Sequence, residues 1–346
     1  MLYIHRAICI SPQQTFGEIN IQNLKESVDK LHAIEPKYEG IPPSLLRRMG
    51  KAVRIGVGAA LPLVKEGPVP DGIIIGTANG GMEDCIKFLN QIIDYEEGLL
   101  TPGNFVQSTA NAIASQIALM SANKNYNITH VHRGLAFENA VIDATMFARE
   151  NPNNKYLLGG VDEISAYNYN IDFLDGAYKK QSQPSATLYQ SDSPGSIAGE
   201  ASAMFLVSGK KEKAATAISA IHITQTDNVT ELKDQFKNFL EKNINADQQI
   251  DLFISGENGD NRLLKYYDAS EQILPDKTTV IRFKHMSGEF PTASAFALWL
   301  AFNLINKNEV PPHAVKKPGA SKAFKKILIY NNYKGLQHSF ILVTGT

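Results

Sequence analysis

Cysteine is nearly absent from this sequence, and charge of neither sign is in excess. Cys9 and Cys85 are its only cysteines, which is too few for a disulfide framework, and they match no zinc-ligand spacing. The 34 lysines and arginines are balanced by 35 aspartates and glutamates, so the chain has no overall positive field to hold nucleic acid or an anionic bilayer. We therefore expect no metal, no cofactor and no nucleic-acid partner.

Long apolar runs are also missing. No window reaches 18 uninterrupted apolar residues, so no transmembrane helix is predicted. The N-terminal apolar run is broken by His5 and Arg6 and follows no basic leader, which argues against a signal peptide. We expect a cytoplasmic protein that does not insert into a membrane.

The sequence does contain a repeated alternation of short apolar runs with amphipathic stretches. This alternation favours an α/β fold with a largely parallel sheet that is covered on both faces. In the first half, the pattern predicts strands at 70–76, 128–132, 155–160 and 198–209, and helices at 81–96, 107–121 and 135–149. In the second half, it predicts strands at 217–223, 250–255, 278–283, 326–330 and 339–343, and helices at 229–242, 261–271 and 292–306.

A charged break at 210–213 separates two stretches with a similar order of elements. We predict an N-terminal half at 1–209 and a C-terminal half at 210–346, two similar α/β halves that share one core. The segment 311–322 is rich in proline, glycine and lysine, and predicts an exposed loop.

Six separated segments carry a family resemblance. They are PPSLLRRMGKAVRIGVGAA at 42–60, GTANGGMED at 76–84, TPGNFVQSTANAIASQIAL at 101–119, LLGGVDEIS at 157–165, AGEASAMFLVSG at 198–209 and KHMSGEFPTASA at 284–295. In this order, across nearly the whole chain, they resemble the β-ketoacyl-acyl-carrier-protein synthases of the thiolase superfamily. The resemblance implies a thiolase-like fold in which two α/β halves form a layered αβαβα core.

The family's chemistry requires a nucleophilic cysteine at a strand-to-helix turn, which attacks the acyl thioester. Counting back from Asp143 and Ala144, which resemble the end of the family's helix, places this position at Gly134. An offset of one residue gives Arg133 or Leu135. None of these side chains is a nucleophile.

The family also uses two histidines that donate hydrogen bonds to the thioester oxygen. The first aligns with Gly256 or Glu257, and the second, five residues after the retained Lys284, aligns with Glu289. An ionised Glu289 about 4 Å from a developing oxyanion is unfavourable by roughly 4 kcal/mol at an effective dielectric of about 20. That energy corresponds to about a thousandfold in rate, although a protonated Glu289 could donate instead. Of the family's glycine-rich C-terminal turn, YNNYKGLQHS keeps only Gly335 plainly.

Several other residues permit both a functional and a structural interpretation. His130 and His132 alternate on the predicted strand before Gly134, so they should point to one face, either rebuilding a site or packing there. By the resemblance, the helix at 107–121 borders a dimer contact and an acyl tunnel. The candidate tunnel and interface residues are Phe105, Gln107, Thr109, Asn111, Ile113 and Phe137.

Taken together, the resemblance implies a non-catalytic ketosynthase-like subunit, similar to the chain-length factors of type II polyketide assembly, including aryl polyene or flexirubin-like pathways. Such a subunit forms a heterodimer with an active ketosynthase, receives chains from an acyl carrier protein and shapes the acyl tunnel. One alternative is a divergent acyltransferase or ketosynthase that uses His130, His132 or Glu289. Another is a homodimeric scaffold that binds carrier protein without a ketosynthase partner.

Overall fold

The computed structural model describes residues 1–65, 67, 69–245 and 248–346. The strands are β1 (Leu2–Ile10), β2 (Lys30–Leu31), β3 (Gly72–Gly76), β4 (Tyr126–His130), β5 (Lys155–Asp162), β6 (Ala198–Gly199), β7 (Ala201–Ser208), β8 (Thr216–Gln225), β9 (Leu252–Ser255), β10 (Thr279–Arg282), β11 (Val315–Lys317), β12 (Lys326–Tyr333) and β13 (Gln337–Gly345). The helices are α1 (Pro43–Leu46), α2 (Lys51–Lys65), α3 (Met82–Asp94), α4 (Pro102–Gln107), α5 (Ala112–Met120), α6 (Ala136–Glu150), α7 (Ala166–Leu174), α8 (Val229–Asn243), α9 (Leu264–Glu271), α10 (Lys284–Ser287) and α11 (Ala293–Lys307). A separate two-stranded pair joins β2 to β6.

Over the described residues, the main sheet has eleven strands in the order β11-β10-β9-β12-β13-β8-β1-β7-β5-β3-β4. The order contains the same motif twice. The first set contains β1, β3, β4, β5 and β7, and the second set contains β8, β9, β10, β12 and β13. If the strands of each set are numbered one to five along the chain, they lie side by side in the order one, five, four, two, three. In both sets, the first three strands in this side-by-side order pair antiparallel, and the last three pair parallel. The first strands of the two sets, β1 and β8, pair with each other.

The helices form three layers around these two half-sheets. Helices α6 and α11 contact strands of both sets and lie between them, whereas α2 and α5 cover the first set and α8 lies against the second. Helix α11 is apolar on nearly all sides, as a helix enclosed between two sheets must be, and Trp299 and Phe296 are fully buried in it. Helix α8 is amphipathic and buries only Leu232, Phe236 and Phe239. The predicted α/β class is confirmed, and the helices and sheets follow the αβαβα order.

The division into halves falls in one connection. Strand β7 ends at Ser208 and β8 begins at Thr216, with a charged turn between them. We propose that the boundary between 1–209 and 210–346 lies there.

One predicted helix is wrong at its N-terminus. The pattern predicted 107–121, but α4 ends at Gln107 and α5 begins only at Ala112. The chain turns between them against Gly81, which has φ +80°. A β-carbon at Gly81 would lie 2.7 Å from the carbonyl oxygens of Gln107 and Thr109, so this turn is fixed by close backbone contact that the apolar spacing does not reveal.

Three strands of the described chain were not predicted, one of them the two-residue β2. Strand β1 lies between β7 and β8. The residues at its two ends are buried, whereas His5 and Arg6 in its middle are only partly buried. These polar residues interrupt the apolar pattern that would have predicted a strand. Strand β11 lies inside the segment predicted as a loop, where Val315–Lys317 pair with β10. In the part of the chain that the structure describes, no helix combines the length and apolarity needed to cross a bilayer.

Candidate functional site

The aligned nucleophile position, Gly134, lies in a one-turn 3₁₀ helix at the start of α6. Its N–H donates to Gln337 Oε1 at 2.9 Å. A β-carbon added to Gly134 would lie 2.2 Å from Tyr333 Cβ and 2.4 Å from Tyr333 Cγ, which is far inside contact distance. The turn is retained, but Tyr333 occupies the space that a nucleophilic side chain would need.

Both aligned neighbours of Gly134 are also unsuited to the role. Arg133 has φ +48°, and Leu135 is buried. The two cysteines lie on other elements: Cys9 is buried in β1, where burial raises the pKa of its thiol to about 12, and Cys85 lies on α3. No thiol therefore stands at the beginning of α6.

The second aligned histidine position, Glu289, is held in a buried ion pair. Lys284 Nζ lies 2.7 Å from Glu289 Oε1, and Asn258 Nδ2 donates to Oε2 at 2.8 Å. Lys284 is fully buried, and burial lowers the pKa of its amine while Glu289 opposes that shift. The lysine therefore compensates a carboxylate that would otherwise repel a developing oxyanion, but the pair offers no imidazole donor.

The first aligned histidine position provides no donor either. A β-carbon at Gly256 would lie 2.6 Å from Asn331 Oδ1, so the position is closely packed. Its neighbour Glu257 is buried and accepts from Arg282 Nη1 at 2.9 Å and from Lys316 Nζ at 2.6 Å. Glu257 thus belongs to a structural charge network.

A cleft of about 380 Å³ opens beside Glu289. Its residues include Asn258, Phe290 and Pro291 near Glu289, and the aromatic rings of Tyr178, Tyr266 and Tyr333. Its charged residues are Asp172, Asp175, Asp227, Asp260, Arg262, Lys265 and Lys334, besides Glu289. Neither Gly134 nor Gly256 lines it, so Tyr333 separates the aligned nucleophile position from the cleft.

The two histidines before Gly134 do not join Glu289. Strand β4 ends at His130, whose Nε2 lies 2.9 Å from Asp143 Oδ2 on α6. His132 lies beyond the strand, where its Nδ1 accepts from Asn139 Nδ2 at 3.0 Å. The prediction that the two share one strand face is wrong because the strand stops between them, and neither lines the cleft.

The candidate tunnel residues are dispersed. Phe105 is 60% exposed and packs against Phe88 with ring centroids 5.3 Å apart, and Thr109 is exposed in the turn after α4. Gln107 and Asn111 hold this region together: Gln107 bonds to the backbone of Arg48 and Gly50, and Asn111 bonds to Thr129 and Ser115. Ile113 is buried under α2, and Phe137 is buried in the central layer.

Sequence reasoning missed two residues that define the site. Tyr333 lies within the altered C-terminal turn, and Asn258 lies within the turn searched for the first histidine, so both segments had been identified. What the alignment lacked was the contact between Tyr333 and Gly134, which are far apart along the chain. The glycine at the aligned nucleophile position is the one sequence feature indicating that a bulky neighbour could fill the space of the missing side chain.

Comparisons with known proteins agree with this architecture. The family described as beta-ketoacyl synthase, N-terminal domain, matches residues 22–249. No curated protein gives a significant match.

Similar solved structures extend over the whole chain. A beta-ketoacyl synthase from Burkholderia phymatum STM815 is 12% identical with a TM-score of 0.75, covering 100% of this chain and 99% of that one. The ketosynthase ApeO in complex with its chain length factor ApeC, from Xenorhabdus doucetiae, gives 14% identity and a TM-score of 0.77, covering 100% and 98%. The AntDE:AntF complex, a type II PKS acyl-carrier protein with its ketosynthase, gives 13% identity and a TM-score of 0.71, covering 100% and 99%. The thiolase-like fold is confirmed, and the chain belongs to the beta-ketoacyl synthase family.

Proposed function

We propose that this chain is a non-catalytic, chain-length-factor-like subunit that pairs with an active ketosynthase and shapes an acyl tunnel. The observation that carries the proposal is the 2.2 Å separation between a β-carbon at Gly134 and Tyr333 Cβ. The fold is complete, yet the place of the nucleophile is filled. Both histidine positions hold other residues, and Glu289 is tied to Lys284.

Similar structures support a partner of this kind. ApeO is bound to ApeC, which is described as its chain length factor, and AntDE:AntF contains an acyl-carrier protein with its ketosynthase. By likeness, we infer an active ketosynthase and an acyl carrier protein as partners here.

The edge strand β4 is the surface that suits such a partner. Among the residues that the structure describes, it pairs on one side only, with β3, and is the last strand of the sheet. Beside it, Tyr126 and Val131 are 41% and 56% exposed, and the flanking helices α5 and α6 expose Leu119 and Met146. An open strand edge with apolar neighbours is a ready template for pairing with another chain.

We propose that the tunnel is completed across this interface. Phe105, Thr109 and Asn111 lie on or next to the turn that packs beside α5 and β4, while Ile113 and Phe137 support it from beneath. In this arrangement the exposed side chains Phe105 and Thr109 face the partner, and Gln107 and Asn111 fix the turn by their hydrogen bonds.

Product length in a reconstituted pair tests the proposal. The chain is co-expressed with an active ketosynthase and supplied with acyl carrier protein, and Thr109→Trp is compared with the unmodified chain. We expect shorter products because the larger ring fills space at the tunnel wall. Thr230→Trp, at an exposed position on α8, is the matched control and should leave the length distribution unchanged. An unchanged distribution for Thr109→Trp counts against the tunnel role.

Purification through a tag on one subunit separates the heterodimer from the homodimeric scaffold. We expect the tagged chain to retain the ketosynthase in equal amount. Retention of only a second copy of this chain would instead favour the scaffold.

A further inference from the structure

A second cleft, of about 420 Å³, lies at the other end of α6 from the aligned nucleophile position. It opens between α6 and α8, over residues 218–222 of β8, and we call it the back groove. Arg149 lines it from the last turn of the 15-residue helix α6, whose first turn follows Gly134, so the two ends are about 20 Å apart. The back groove shares no residue with the cleft beside Glu289 and is a separate feature of the fold.

The fixed charges that line the back groove are positive. Arg149 lies on α6 and Lys242 on α8, and among the described residues no aspartate or glutamate lines the groove. Both side chains are exposed, and neither makes an ion pair or a hydrogen bond within the part of the chain that the structure describes. The nearby carboxylate of Glu231 is turned away, since it accepts from Thr226 and Gln235. Two cations on separate helices thus face one groove without a counterion.

The helix ends reduce this positive charge but do not cancel it. Arg149 and Lys242 each stand in the last turn of a helix, where a cation also offsets the partial negative charge of the helix terminus. That terminus carries roughly half an elementary charge. Two full positive charges against two such partial charges leave the groove positive, and therefore suited to an anion.

The rest of the back groove supplies apolar surface and further hydrogen-bonding groups. Ile221 and Phe239 line it, and the side-chain amide of Asn238 makes no hydrogen bond within the described residues. Along the floor, β1 pairs with β8 only at residues 216–218, so beyond them one edge of β8 has no strand neighbour in the described chain. A ligand in the groove can therefore contact apolar side chains and polar groups at the same time.

We propose that the back groove binds a small organic phosphate. Arg149 and Lys242 bind the phosphate group from the two helices, Asn238 donates to it, and the apolar part of the ligand lies against Ile221 and Phe239. A phosphate fits better than a carboxylate because two separate cations and an amide need a dianion with three acceptor oxygens, and arginine binds phosphate through two parallel hydrogen bonds. The volume of about 420 Å³ lies within the range of small-molecule sites. The binding makes and breaks no covalent bond.

Phenyl phosphate and three matched probes test the ligand class. Phenyl phosphate carries about two negative charges at pH 7.5. Benzoate keeps the ring with one charge, benzyl alcohol keeps the ring without charge, and inorganic phosphate lacks the ring. With the purified full chain, ligand-observed NMR titration should show binding of phenyl phosphate and at least fivefold weaker binding of each of the other three. No binding of phenyl phosphate, or equal affinity for any matched probe, would overturn the proposal.

Charge-removing variants test the two cations. Arg149→Gln and Lys242→Gln should each weaken binding of phenyl phosphate at least fivefold. Lys237→Gln is the matched control, because Lys237 is exposed on α8 but does not line the groove, and it should change nothing. Thermal unfolding checks that the variants remain folded. Unchanged binding in folded Arg149→Gln and Lys242→Gln would overturn the assignment.

This inference stands apart from the proposed pairing with a ketosynthase. The product-length assay changes Thr109, and the pairing assay uses no phosphate ligand. Failure of phenyl phosphate to bind therefore leaves both assays unaffected, and the two proposals can fail separately.

Discussion

The two halves of the molecule arrange five strands in the same order but finish their outer edges differently. In the first half, the third strand of the set is β4, which ends the sheet and has one side unpaired in the described part of the chain. In the second half, the matching strand is β10, which is covered by β11 from the lysine-rich segment. Strand β10 is accordingly almost fully buried, whereas β4 is only half-buried. The same topology thus leaves the third strand at an open edge in the first half and covers it with the short strand β11 in the second.

Buried carboxylates are neutralised in both halves, as Glu200 is by Lys51 in the first half. The second half neutralises Glu289 with Lys284, and Glu257 with Arg282 and Lys316. It also holds His285 and His338 buried and hydrogen-bonded. If the proposed pairing uses a sheet edge, the open β4 edge of the first half is therefore the expected surface. Four experiments test these differences between the halves.

The largest effect is expected from the buried ion pair of the second half. Lys284→Met leaves Glu289 with an uncompensated charge and should lower the free energy of unfolding by about 3–5 kcal/mol. In the first half, Lys87 lies 3.1 Å from Glu83 with its side chain 50% exposed, so Lys87→Met should cost less than about 0.5 kcal/mol. Urea unfolding of both variants measures the contrast. Equal losses would mean that Lys284 is not the interior counterion described here.

Acid should destabilise the protein in part through two buried histidines of the second half. Burial lowers the pKa of His285 to about 3 and of His338 to about 4. The unfolded chain binds these protons below about pH 6.5 while the folded chain does not, so the stability is complete above that pH and is lost as pH falls toward 4. At pH 5.5 each histidine should contribute a loss of roughly 1 kcal/mol relative to neutral pH.

Urea unfolding at pH 7.0 and 5.5 checks this loss. His338→Gln removes one titrating group and should reduce the difference between the two pH values by roughly 1 kcal/mol. His132→Gln, at an exposed position of the first half, serves as the matched control and should leave the difference as it is. A difference that His338→Gln does not alter would refute the assignment.

A charge on the open edge should weaken pairing. Val131→Lys places an ammonium at the β4 edge, where pairing would bury it, and the dissociation constant for the ketosynthase should rise at least tenfold. Val28→Lys is the matched control because Val28 is 51% exposed and Val131 is 56% exposed. Binding to the immobilised ketosynthase measures both dissociation constants. Equal dissociation constants for the two variants would count against the β4 surface.

The smallest effect is expected at β11, on the opposite edge of the sheet. Lys317 on β11 lies 3.2 Å from the fully exposed Asp276, so Lys317→Glu should change stability by less than about 0.5 kcal/mol and pairing by less than twofold. The same unfolding and binding measurements apply. A large loss of pairing here would place the partner on the second half instead.

Much of the fold could be predicted from local pattern. The α/β alternation located β3, β5, α6 and α8 within a few residues, because apolar spacing reports which face of an element is buried. Strand β11 was missed because its pairing with β10 decides its structure, and β1 because charged residues interrupt it. The local sequence patterns at β11 and β1 do not indicate which distant segments these strands contact.

The site was predicted in part for the same reason. The motif around Lys284 singled out Glu289, since the five-residue spacing is local, but it did not predict the ion pair between the two residues. The filling of the Gly134 position by Tyr333, and the capture of Glu257 by Arg282 and Lys316, depend on tertiary packing. The alignment could thus identify which residues stand at the family's site positions, but it could not predict the contacts that these residues make.

The most direct test of the central claim is the intact mass of both subunits after the purified pair is incubated with acyl-loaded carrier protein. The account predicts an acyl adduct on the ketosynthase and none on this chain. A stable adduct on this chain, abolished by substitution of His130, His132 or Glu289, would contradict the account and establish the chain as an enzyme.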